Sequence, residues 1–144
     1  MPQYLDRAEL ADRLRGSGLR VTPQRLGVYE ALASSGDHLT PERVLDRVRG
    51  QHPSMSLNTV YEVLETLTSL GAIRRGDVSA GPRRYDANMA PHHHLVCRGC
   101  GRQVDVDCAE LNAPCLEPVD DHGFVVEEAQ VTFYGHCEAC QAEA

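Results

Sequence analysis

The sequence predicts an α+β fold in two parts, a helical domain over residues 1–85 followed by a small α/β domain over residues 86–144. Three observations predict it. Runs of apolar residues at helical spacing, most opened by a capping residue and all closed by glycine, recur four times before residue 72. Short Val- and aromatic-rich strand candidates dominate after residue 94. Charge divides in the same place. Residues 1–85 hold 12 Arg against 10 Asp and Glu, whereas residues 86–144 hold 2 Arg against 11, so a +2 half is joined to a −9 half. Such an asymmetry implies division of labour.

The elements follow in order. Leu10, Ala11 and Leu14 lie on one face of a charged first helix, which stops at Gly16-Ser17-Gly18. Thr22-Pro23 reads as N-cap and first helical residue, with Leu26, Val28, Tyr29, Ala31 and Leu32 inward and Gly36 at the end. Thr40-Pro41 repeats that start, with Val44, Leu45 and Val48 inward and Gly50 closing. Ser56 opens a fourth helix carrying Val60, Val63, Leu64 and Leu67, closed by Gly71. Ala72 to Arg75 reads as a strand, Gly76 to Gly81 as a turn, and Pro82 to Tyr85 as the lead into a second strand. Helices followed by a hairpin form the pattern of a winged helix-turn-helix domain, shared with other small α+β domains. Beyond the boundary, Leu95-Val96, Gln103 to Val106, Phe124-Val125-Val126 and Gln130 to Tyr134 are strand candidates, and Cys108 to Leu116 is a short helix candidate. A domain of that length has a small core and needs a staple.

Composition narrows the class. No apolar run approaches the ~20 residues of a membrane span. The first residues carry no apolar leader segment, so a cytoplasmic protein is expected. In that compartment, paired cysteines favour metal over disulfides. All 14 basic residues are arginine, and the +2 of the helical half is a weak electrostatic footprint. Affinity for a polyanion would therefore rest on local arginines and on dimerisation.

The strongest chemical signal is Cys97-x-x-Cys100 with Cys137-x-x-Cys140. Four thiolates in two knuckles match tetrahedral Zn²⁺, and the 36 residues between the knuckles exceed a simple zinc ribbon, so a small domain folds between them. The bland reading is four buried or redox cysteines. His92-His93-His94 lies close to Asp86 and ahead of Asp105. On an extended segment His92 and His94 share a side and His93 points away, so the first two can share a metal; a solvated surface run is the alternative. Such an N/O set suits Fe²⁺, Mn²⁺ or Zn²⁺. His38, His52, His122 and His136, each taken alone, read as surface or hydrogen-bonded residues. Cys108 and Cys115 lack knuckle spacing and read as free thiols or as a redox pair. Ser56, Asn58, Thr59 and Tyr61 at a helix N-terminus can reach bases or phosphates, or simply cap and coat a helix.

Together these motifs resemble the ferric uptake regulator family. Leu19-Arg20-Val21-Thr22-Pro23-Gln24-Arg25 resembles its opening helix motif and Ser56 to Tyr61 its recognition helix. His92-His93-His94-Leu95-Val96-Cys97-x-x-Cys100-Gly101 and Tyr134-Gly135-His136-Cys137-x-x-Cys140 resemble its C-terminal signatures. The match runs in order over roughly residues 10–141. It implies a homodimer whose winged helices read palindromic double-stranded operator DNA through Arg20, Thr22, Gln24, Arg25, Ser56, Asn58, Thr59 and Tyr61. It implies structural zinc on the four knuckle cysteines, and a regulatory Fe²⁺ or Mn²⁺ on His38, Asp86, His92, His94 and Asp105. Neither a membrane nor a small-molecule substrate is implied.

Aspartate at 86 and 105, where iron-uptake members commonly carry glutamate, resembles the peroxide-sensing branch. There bound Fe²⁺ reacts with peroxide and a ligand histidine is oxidised; by resemblance the candidates are His38 and His92. Asp105-Val106-Asp107-Cys108 and Ala113-Pro114-Cys115-Leu116 resemble actinobacterial regulators associated with catalase-peroxidase control. A departure is Glu127-Glu128-Ala129-Gln130, which lacks the histidines many members use for an additional site. The rival within the family is an iron-, manganese- or zinc-homeostasis repressor. A metal-dependent enzyme is disfavoured, because the ligand set leaves no general base beside an open metal position. A zinc-stapled interaction module would leave the helical half superfluous.

Overall fold

The computed structural model describes residues 3–76, 82–90, 92–107, 119–126 and 131–142. The chain divides into two compact units, Pro2–Met89 and Ala90–Ala144.

The first unit is built on four capped helices. In α1 (Arg7–Gly16), the Asp6 carboxylate accepts the Glu9 N–H at 2.8 Å, and the Glu9 carboxylate accepts the Asp6 N–H at 2.8 Å. This reciprocal capping box satisfies donors that the first helical turn leaves free. Thr22 Oγ1 accepts the Arg25 N–H at the start of α2 (Pro23–Ser35), and Thr40 Oγ1 accepts the Arg43 N–H at the start of α3 (Pro41–Val48). In both, proline occupies the first helical turn, where its missing N–H costs nothing. Gly36, at φ 69°, ends α2 in the left-handed conformation that side chains resist. Ser56 Oγ caps α4 (Leu57–Ser69) through the Thr59 N–H at 3.1 Å.

The inward faces of these helices form one core that includes Leu10, Leu14, Val28, Leu32, Val44, Val60, Leu64 and Leu67, joined by Ile73 and Tyr85. Strands β1 (Arg74–Arg75) and β2 (Tyr85–Asp86) pair antiparallel behind α4, with Arg74 opposite Asp86 and Arg75 opposite Tyr85. The result is a winged helix-turn-helix domain. The first strand is shorter than the sequence predicts, because Ala72 and Ile73 turn into the core instead of extending the ladder.

The second unit is an α/β domain on a three-stranded sheet in the order β4-β3-β5. Its strands are β3 (His92–Cys97), β4 (Gln103–Asp107) and β5 (Thr132–Gly135). β3 and β4 run antiparallel, whereas β3 and β5 run parallel with Leu95 opposite Phe133 and Cys97 opposite Gly135. A short helix, α5 (Glu138–Ala142), follows and carries Cys140 of the second knuckle. Phe124-Val125-Val126 is a correction. These residues form no strand and are 75%, 90% and 48% exposed. An apolar triplet becomes a strand only with a ladder partner, and these residues pair with none of β3, β4 and β5. The helix candidate Cys108 to Leu116 lies outside the described residues, as does most of the Gly76 to Gly81 turn. No helix among the described residues is long and apolar enough to cross a membrane.

Candidate functional site

The four knuckle cysteines converge because of the sheet's topology. β3 and β5 run parallel, so both knuckles leave the same end of the sheet. The first knuckle folds back on itself: Gly101 N–H donates to Cys97 O at 2.9 Å, and Cys97 N–H to Arg102 O at 2.8 Å. Gly101 sits at φ 76°, a turn open to glycine. Gly99 is required for a different reason. A Cβ there would meet Cys140 Sγ at 2.9 Å and Cys97 Sγ at 3.7 Å.

One sulfur from each of Cys97, Cys100, Cys137 and Cys140 lies within 4.8 Å of the other three, and all four thiols are free. Cys100 and Cys137 sulfurs are 3.8 Å apart. A Zn–S distance of about 2.3 Å makes a tetrahedron with edges of about 3.8 Å, so the residues fit a structural zinc. Their electrostatics also suit a cation. Backbone N–H groups of Cys137 and Cys100 pull the Cys97 thiol down to about 5, the former across 3.3 Å. Side-chain hydrogen bonds to Cys137 and Cys97 favour the protonated thiol of Cys140 and push it up to about 12. Zn²⁺ would take the place of that proton, since coordinating thiols are deprotonated. Arg98 stands over the Tyr134 ring at 5.0 Å and its N–H donates to Gly135 O at 2.7 Å, tying the knuckle to β5.

In the first unit, His38 and Asp86 are brought together from 48 positions apart. A two-bond bridge does this: Leu39 N–H donates to Tyr85 O at 3.0 Å and Tyr85 N–H to Leu39 O at 2.8 Å. The residues flanking that bridge, His38 and Asp86, therefore face each other, with Nε2 3.2 Å from Oδ2 and both side chains buried. The Arg84 guanidinium donates to His38 O at 3.3 Å, and Asp86 Oδ1 accepts the Asn88 N–H at 2.9 Å. The bridge, Arg84 and Asn88 were not read from the sequence as parts of a site. The spacing Asp86-x-Asn88 is a signal that could have found one of them, because aspartate commonly accepts the N–H two residues on.

In the second unit, β3–β4 register sets His94 opposite Asp105, with Nε2 3.7 Å from Oδ1. His92 lies opposite Asp107 at the start of β3. His93 is used otherwise. Its Nδ1 accepts the Val131 N–H at 3.0 Å, and its ring meets the Phe133 ring edge-on. Each unit thus carries a His–Asp pair, a nitrogen and oxygen donor chemistry that fits a divalent first-row metal. His122 is exposed beside Asp120. Cys108 and Cys115 lie outside the described residues.

The candidate DNA contacts lie on α2 and α4 of the winged helix. Asn58 and Tyr61 are exposed on α4, while Thr59 is partly covered. Ser56 Oγ is 3.0 Å from Thr59 Oγ1, so part of their polar capacity serves the cap. Asn58 donates to Glu62 at 3.4 Å and Tyr61 to Glu42 at 3.5 Å, weak surface bonds that a stronger partner can displace. Arg20 and Gln24 are exposed just before and within the first turn of α2. Arg25 is half-buried, and its guanidinium donates to Arg20 O. Thr22 is committed to its cap.

A winged helix with a four-cysteine metal cluster and His–Asp pairs defines a metal-responsive DNA-binding regulator. The ferric uptake regulator family model matches residues 16–134. The chain is 41% identical to the transcriptional regulator FurA of Mycobacterium tuberculosis over 133 residues, covering 92% of this chain and 90% of that protein. It is 31% identical to the peroxide-responsive repressor PerR of Staphylococcus aureus over 130 residues, 89% of this chain and 86% of that one. The solved ferric uptake regulator of Helicobacter pylori, described as having three functional metal-binding sites, superposes with a TM-score of 0.75 at 27% identity over 93% of this chain and 90% of that one. The chain therefore belongs to the ferric uptake regulator family. Members of that family are metal-responsive transcription regulators that bind DNA as dimers, and are not enzymes.

Proposed function

We propose that the chain is a peroxide-responsive repressor that binds palindromic operator DNA as a homodimer when its regulatory site holds Fe²⁺ or Mn²⁺. The observation that carries this reading is the pairing of an aspartate with a histidine in each unit, His38 with Asp86 and His94 with Asp105. Two donors are too few for either ion, which takes up to six ligands in octahedral geometry. In this reading one ion takes His38 and Asp86 from the first unit and His92, His94 and Asp105 from the second. An ion bound that way adds its free energy to one domain arrangement only, which is what control requires. Fe²⁺ held by these residues would supply one-electron reduction of peroxide beside the histidine rings, chemistry that Mn²⁺ would not supply. A ring that gains oxygen is a poorer donor, and the DNA-competent arrangement loses its support.

DNA recognition in this reading falls to Arg20, Thr22, Gln24, Arg25, Ser56, Asn58, Thr59 and Tyr61. The exposed face of the sheet, where Leu95 and Phe133 are 49% and 48% exposed, is the surface that a second copy covers.

The test is peptide mass spectrometry of Fe²⁺-loaded protein after brief peroxide treatment, with a Mn²⁺-loaded control. Added oxygen on the peptides carrying His38 or His92, with iron only, is the expected result. Unmodified histidines at confirmed iron occupancy would leave a metal-homeostasis repressor. Oxidation confined to Cys108 and Cys115 would move the sensing to those thiols.

A further inference from the structure

We infer that Asn88 is a positioning residue for the Asp86 carboxylate, and that residues 3–5 form a clasp that holds Asn88 in place and so sets the affinity of the regulatory metal site. The inference rests on the reading of Asp86 as a ligand. It begins with the two oxygens of that carboxylate. Oδ2 lies 3.2 Å from His38 Nε2, and Oδ1 accepts the Asn88 N–H at 2.9 Å. The second bond closes a turn from a side chain to the backbone two residues on, and it fixes the direction in which Oδ2 is presented. Carboxylate orientation is then only as firm as the backbone at 88.

That backbone is held from outside its own segment. Asn88 is 3% exposed, and its Oδ1 accepts the Gln3 N–H at 3.0 Å. Met89 N–H donates to Gln3 O at 3.1 Å. Gln3 thus spends its backbone N–H and C=O on two consecutive residues, as a strand pair would, although neither segment is in a sheet. Arg74 from β1 adds a bond from Nη2 to Met89 O at 3.3 Å. The clasp has an anchor at its other end, where Leu5 N–H donates to the phenol oxygen of Tyr29 at 2.6 Å. Tyr29 is 2% exposed in the core. Asp6 then begins the capping box of α1. The path runs from a core tyrosine, through three residues that belong to no helix, to the turn that aims a candidate metal ligand. Contacts of this outer kind typically alter metal affinity by about 10- to 100-fold when removed.

The experiment measures Mn²⁺ affinity of the zinc-containing homodimer in four forms: wild type, Asn88→Ala, deletion of residues 2–4, and the two changes together. Zinc content and apoprotein thermal midpoint are recorded for each. Each single change is expected to weaken Mn²⁺ binding about 10-fold or more. The combination is expected to be no weaker than either alone, because both act through the same turn. Unchanged affinity in both single variants, even with a lowered thermal midpoint, would reduce the clasp to a stability element and overturn the inference; so would two losses that multiply. If Asn88→Ala does not fold, the deletion decides, since it leaves every helix and strand intact. Asp86→Ala separates the two levels. Wild-type Mn²⁺ affinity in that variant would sink the ligand assignment itself, and the clasp with it. A large loss there, beside no loss in the clasp variants, would sink the clasp alone.

Discussion

The two units hold themselves together by different means. The first closes a core that runs from Leu10 to Ala87 and holds all the clustered buried apolar residues among those described. In the second, the buried apolar residues among those described are Ala90, Val96 and Cys97, and its fully exposed apolar residues include Val119 and Val125. Hydrophobic burial at roughly 25 cal/mol per Å² can organise the first unit. Among its described residues the second buries little apolar surface, and it carries a four-cysteine cluster. The contrast teaches that one short chain can rest its first unit on packing and its second on a metal site, so that the two respond to different insults.

Removing the zinc should break the comparison most sharply. Chelation, or Cys97→Ser or Cys137→Ser, is expected to unfold the second unit and dissociate the dimer, since structural zinc contributes on the order of 10 kcal/mol of folding free energy. Hydrogen exchange would show protection lost over residues 92–107 and kept over α2 and α4. Retained protection in both units would mean the cluster is dispensable. The reciprocal change is Leu64→Ala, at a fully buried position in α4. It should cost the first unit about 3 kcal/mol in denaturant unfolding while zinc content stays the same. Phe133→Glu, on the exposed sheet face, should weaken dimerisation by roughly 2 kcal/mol in sedimentation equilibrium. An unaltered dimer would move the interface elsewhere. The smallest effect belongs to Thr40→Ala, which removes the α3 cap and should cost about 1 kcal/mol, read as a lowered thermal midpoint of the first unit alone.

Local chemistry made much of this fold legible. Thr22, Thr40 and Ser56 cap the helices whose starts they mark, because a cap and the N–H groups it satisfies lie within three residues of each other. The CxxC knuckles were equally plain. What the sequence withheld was distance. His38 entered only through family resemblance, since its neighbour Asp86 is set by a bridge between Leu39 and Tyr85 that no periodicity announces. Parallel pairing of β3 with β5 is likewise a property of the whole sheet, and the apolar run Phe124 to Val126 carries no record of whether it pairs. Asn88 and Gln3 were invisible for a similar reason, being joined across 85 positions.

The parallel pairing of β3 and β5 has a practical corollary. Parallel neighbours cannot be joined by a tight turn and need a long excursion of chain. Here that excursion runs from Cys97 at the end of β3, through β4, to Thr132 at the start of β5. Once the ends are fixed, doubling the length of such a loop costs only about 0.6 kcal/mol. The turn at Asp121 to Gly123 lies on this excursion and is exposed. A fluorescent or affinity module spliced in there should leave both sheet and knuckles undisturbed, turning the regulator into a reporter of its own assembly.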